Sequence, residues 1–174
     1  MKKSDIRPMP EYFDRYINLV EEDDLFDALR RSLQVIEKID IGKLHAIGNK
    51  IYAPGKWTVN DILQHIIDTE RIFAYRALRF ARKDATPLPG YEENDFAANA
   101  LASYRKTEDL LTELKTLRTS TIQLFLSFPP DAFQYTGTSF NKKISVLAIG
   151  FLLCGHQVHH MNVLKEKYEP LINS

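Results

Sequence analysis

The chain is poor in cysteine: Cys154 stands alone among 174 residues, which excludes an internal disulfide and any paired-cysteine metal or redox motif. An excess of one charge is also missing, because 23 Lys and Arg face 23 Asp and Glu. That balance leaves no net field to attract a phosphate backbone or an anionic membrane, and nucleic acid is not expected as a partner. Long apolar runs are lacking as well. The most hydrophobic stretch, ISVLAIGFLLCGH, is well short of the roughly 20 residues that span a bilayer. It predicts a core helix and no membrane anchor. The opening MKKSDIRPMP has basic residues without the apolar run of a signal peptide, so the expected location is cytoplasmic. A glycine-rich phosphate loop, an HExxH motif and a Ser, His and Asp order typical of hydrolases are absent too, which removes several common enzyme classes.

What is present has an ordinary globular balance, 44% hydrophobic and 26% charged. At this length one compact domain is expected, burying roughly two-thirds of its unfolded surface. The pattern is helical. A short helix is predicted over 11–19, followed by the acids Glu21, Glu22, Asp23 and Asp24, which suit a helix N-terminus. Leu25, Leu29, Leu33 and Ile36 then recur at three- and four-residue spacing, an amphipathic helix ending before Gly42. The stretch IGNKIYAPGK reads as loop. Thr58 with Asp61 three residues later forms an N-terminal cap for a long helix up to about Lys83. Two prolines and a glycine make DATPLPGYEENDF a connection, with one helical turn at 92–97. A third long helix covers 103–128 and is stopped by FPPD. AFQYTGTSFNKKI suits a hairpin or extended loop, after which Ser145 caps a last helix reaching Tyr168. Four long helices imply an all-α bundle.

Three of the five histidines lie within GHQVHH near the end of the chain. His156 and His160 are one helical turn apart on a stripe shared with Ile149, Val163 and Leu164, so two imidazoles can reach one metal ion. A catalytic site of this kind typically has three protein ligands and one open position. His65, on the core-facing side of the second long helix, is the first candidate for the third ligand. His159, about 100° around the helix from His160, is the second. His45 falls in the loop after the first long helix, where a solvated position is expected. Asp61, Asp68 and Glu70 lie close enough in sequence for a carboxylate to orient the His65 ring. Cys154 points away from His156 and is expected to be a buried small hydrophobe. Tyr91, Glu92 and Glu93 belong to a segment that folds over one end of the bundle or remains plain loop. A hydrogen-bonded core pair is the competing account of His156 and His160.

YAPGKWTVNDILQHIIDTERIFAYRALRF, TPLPGYEENDFA and GHQVHHMNVLKEKY together resemble the DinB-like superfamily of metal-dependent four-helix-bundle proteins, which is unrelated to the DNA polymerase sharing the name. The resemblance covers nearly the whole chain, and its most specific element is one mid-chain histidine plus a C-terminal H-x3-H. It implies an up-down-down-up bundle, a homodimer, and a divalent ion, nickel or zinc, on His65, His156 and His160. It also implies a small-molecule substrate. The first reading is S-transfer from a low-molecular-weight thiol such as bacillithiol or mycothiol to a small electrophile, with His159 or Asp68 moving a proton or orienting a ligand. The alternatives are a metal-dependent hydrolase and a non-enzymatic, stress-associated metal-binding dimer.

Overall fold

A computed structural model describes residues 1–173. The first helix, α1 (Asp14–Ile17), is a single turn. The acidic run ends at Asp24, whose carboxylate accepts hydrogen bonds from the backbone N–H of Phe26 and Asp27 and so caps α2 (Leu25–Glu37). A short further helix, α3 (Ile41–Ile47), replaces the loop expected from Gly42 onward. Asp40 caps it by accepting from the Lys43 N–H, and that bond offsets the roughly 1 kcal/mol by which glycine disfavours a helix. His45 therefore stands on α3, exposed as expected, against Glu108.

The Thr58 and Asp61 pair forms a reciprocal capping box at the start of α4 (Val59–Ala81). Beyond the proline-rich connection, α5 (Glu93–Ala100) starts one residue later than the expected turn and runs three residues further. It ends because Leu101 adopts a left-handed conformation, φ 50°. The same break delays α6 (Thr107–Leu126) relative to the predicted start, and Pro129 and Pro130 follow its end. β1 (Thr136–Ser139) and β2 (Lys142–Ser145) form an antiparallel hairpin, turning through Phe140 and Asn141 at positive φ. Ser145 caps α7 (Val146–Val163) by accepting from the Ala148 N–H. The chain then widens into a π turn over Leu164–Tyr168 and tightens into a 3-10 segment over Glu169–Asn173.

Four helices, α2, α4, α6 and α7, make the bundle, and each of α2 and α4 packs against both α6 and α7. Leu25 abuts Gly150 and the Ser32 carbonyl accepts from Gln157, so α2 and α7 run in the same direction. Leu63 and Ile66 share an apolar cluster with Leu110 and Leu114, so α4 and α6 are also parallel to each other. His65, early in α4, meets His156, late in α7, which sets the two pairs antiparallel. The order is up-down-down-up. Its core is two apolar clusters, one around Leu29, Phe80, Phe125 and Ile149 and one around Ile36, Leu63, Leu114 and Leu164. Between them on the four helices lie buried polar residues: Ser32, Glu70, Arg118 and Gln157. Among the described residues no helix is long and apolar enough to cross a membrane.

Candidate metal centre

Two helices build the site. Facing α4 and α7 bring His65 against the His156 and His160 pair, and all three residues are buried. His156 Nε2 lies 3.0 Å from His65 Nε2 and 3.1 Å from His160 Nε2. A neutral ring nitrogen has one in-plane lone pair or one N–H, so a hydrogen bond satisfies only one of the two contacts at His156. A metal–nitrogen bond of about 2.0–2.1 Å separates two ligand nitrogens by about 3.3 Å at a tetrahedral angle and about 2.9 Å at a right angle. Both separations at His156 fall in that interval, the three ligand nitrogens lie within 4.8 Å of one another, and three neutral imidazoles are a donor set suited to a divalent ion.

The electrostatics agree. Burial, with a smaller contribution from His159, pulls the His65 pKa down to about 4. Burial and the neighbouring imidazoles bring His160 to about 3 and hold His156 well below the ordinary histidine range. All three are neutral near pH 7, with lone pairs available to a metal.

Small backbone approaches and large rings fix the His156 side. A Cβ at Gly155 would overlap the Tyr16 carbonyl, so glycine is what lets α1 lie directly on α7. Tyr16 then sets its ring edge-on to His156 and His159, with centroids 5.3 and 5.4 Å away. On the other flank the Trp57 ring stands 4.8 Å from His65, and the Tyr168 hydroxyl donates to the Trp57 carbonyl.

One polar layer away from the triad, Arg118 donates from Nε and Nη2 to the two Glu70 carboxylate oxygens at 2.8 and 2.9 Å. Arg118 also donates to Ser32 and to the Leu153 carbonyl. Glu70 is thus committed to Arg118, Asp61 to the helix cap, and Asp68 to an amide hydrogen bond from Gln64. The expected carboxylate orienter of His65 is not supplied by any of the three. His159 is half-buried and its ring nitrogens lie outside the converging set, which places it beside the triad and not in it. Cys154 is buried near Ser32, and burial pushes its thiol up to about 11.

A cavity of about 230 Å3 opens beside His156. PGYEEN closes over it, so Tyr91, Glu92 and Glu93 are walls of the cavity and not plain loop. The Tyr91 and Thr69 hydroxyls are hydrogen-bonded at 2.7 Å, and Arg76 lies further along the same wall. Thr69 and Arg76 went unremarked in the sequence, although offsets of four and eleven from His65 put them on its helix face.

The model of the DinB superfamily matches residues 25–164. The chain belongs to the DinB superfamily. This DinB-superfamily chain is also similar in structure to YfiT from Bacillus subtilis, with a TM-score of 0.67 and 17% identity, over 92% of this chain and 88% of that one. YfiT is described as a probable metal-dependent hydrolase with an unusual four-helix bundle topology. At that identity the likeness is one of fold. No curated protein matches this member of the DinB superfamily.

Proposed function

We propose that this chain is a divalent-metal-dependent enzyme in which His65, His156 and His160 hold the ion and the cavity beside His156 receives a small substrate. The observation that carries the reading is the double nitrogen contact at His156, which hydrogen bonding leaves half satisfied, at the wall of an accessible cavity. A divalent ion on three imidazoles with an open position supplies Lewis acidity, lowering the pKa of a thiol or water presented to it. We assign thiol S-transfer as the first reaction. The S–H proton is lost, the sulfur forms a bond to an electrophilic carbon, and the leaving group departs with the electron pair of the broken bond.

Residues of the cavity supply the remainder. Phe13, Phe73 and Leu152 wall it with apolar surface. Burial raises the Glu93 pKa, which makes its carboxylate a better proton acceptor than a solvated one. Tyr91, fixed by Thr69, presents a hydroxyl to the same space. His159 and Asp68 do not line this cavity, so Glu93 and Tyr91 take the auxiliary roles in the proposal. Hydrolysis, with water in place of the thiol, is the second reading, and the description of YfiT favours it.

Zinc- and nickel-loaded protein is assayed with a low-molecular-weight thiol plus a halogenated electrophile, and separately with activated esters. Thiol consumption that needs the metal and disappears on stripping supports S-transfer. Metal-dependent ester cleavage without thiol consumption selects hydrolysis instead. Turnover that persists in metal-stripped His160→Ala protein, or no turnover in either assay, contradicts a metal-dependent enzyme.

A further inference from the structure

Two arginines of this chain are almost fully buried, and they differ in one respect. Arg118, 0% exposed, is matched by the Glu70 carboxylate in a two-bond pair. Arg76, 4% exposed, has no such partner: its Nη2 donates to the Pro89 carbonyl at 2.6 Å and its guanidinium lies 4.6 Å from the Phe73 ring centroid. No carboxylate of the described residues stands within ion-pairing distance of it. A buried cation without a counter-ion is costly, and burial accordingly lowers the Arg76 pKa, with Tyr91 the single opposing influence. Yet Arg76 faces the cavity that His156 also lines.

We infer that the cavity takes a substrate bearing a carboxylate, which Arg76 binds through its planar fork. The fork geometry matches a carboxylate in two parallel hydrogen bonds. Glu92 and Glu93 line the same cavity, and their charge opposes a dianionic phosphate more strongly than a monoanionic carboxylate. Arg76 follows His65 by eleven residues, about three turns along α4. The cavity thus carries an anion anchor and, at His156, a member of the triad as separate features of its wall. Phe13, Phe73 and Tyr91 on the same wall favour an apolar or aromatic body. The inference rests on the proposed function only for what happens at the triad; the anchor itself makes no use of a metal.

The test uses 3-phenylpropanoate and its neutral isostere 3-phenylpropanamide as probes, with binding read by calorimetry. Measurements are made on full-length protein as purified and again after chelation and desalting, so that a carboxylate bound to metal is separated from one bound to Arg76. Wild type prefers the acid by about tenfold or more in both states, as expected for a charge-assisted hydrogen-bond pair. Arg76→Gln loses the preference, and Arg76→Lys, which keeps the charge without the fork, retains only part of it. Equal binding of acid and amide to wild type, or no binding of either, overturns the inference whether or not the variants fold. An acid preference confined to metal-loaded protein also overturns it. A preference that survives stripping in a protein that shows no metal-dependent turnover upholds the anchor while the enzymatic reading fails.

Discussion

His65, His156 and His160 place three neutral imidazoles where a charged one would be poorly tolerated, and this sets how the metal-free protein responds to acid. In the unfolded chain histidines titrate near about 6.5. Folded, His65 is held at about 4 and His160 at about 3, with His156 also well below the ordinary range, burial being the leading cause in each. Between pH 6.5 and 4 the unfolded state thus binds more protons, so stability falls as the pH drops through that window. Above 6.5 the three are neutral in both states and their contribution to the slope vanishes. Metal-stripped protein is therefore expected to unfold at a lower temperature at pH 5 than at pH 7.5. The triple variant His65→Gln, His156→Gln and His160→Gln flattens that slope. An unchanged slope in the variant shows that other groups carry the acid sensitivity. The grouping of these residues was approachable from the sequence, because a one-turn histidine spacing on an apolar helix is unusual and the core-facing side of the second long helix put His65 first as their partner. Their Nε2 convergence was not, since it depends on how α4 and α7 cross.

At the scale of elements, the Arg118 and Glu70 pair joins α6 to α4, and the further bonds of Arg118 reach Ser32 on α2 and the Leu153 carbonyl on α7. All four bundle helices meet there, between the two apolar clusters. Removing one partner leaves the other charge buried and unpaired, so Arg118→Met or Glu70→Met is expected to destabilise the fold by about 3–5 kcal/mol. The double variant recovers most of that loss, because no charge is stranded. Denaturant unfolding of the two single variants and the double variant measures this. Additive losses in the double variant would show that the pair does not lock the helices together. Local signals made much of the element order legible: the Thr58 and Asp61 box, the Ser145 cap, the proline stop after α6 and the hairpin before α7 all act within a few residues. α3 was not legible, because Gly42 argues against a helix and the Asp40 cap outweighs it. Arg118, Glu70 and Arg76 were hidden for a different reason. A charged residue on a helix is usually solvated, and only the packing of distant elements buries these three.

Across the whole molecule, the polar layer and the triad occupy the junction of the two apolar clusters, and α7 leads up to it buried on every side over 146–157. That all-round burial is why this first part of α7 reads as one apolar run, with a polar face emerging only from Val158 onward. Up-down-down-up order makes α4 and α7 antiparallel neighbours, which is what brings a histidine from mid-chain to two near its end. The bundle thus holds the triad between facing helices, while the PGYEEN segment and α1 line the cavity beside it. The central claim is that these histidines bind an ion, and metal content per chain tests it most directly. Untagged wild type, His156→Ala and His159→Ala are incubated with zinc or nickel, desalted and analysed for bound metal. The account predicts about one divalent ion per chain in wild type and in His159→Ala, and loss of that ion in His156→Ala. Wild type that binds no metal, or His156→Ala that binds as much as wild type, would contradict it.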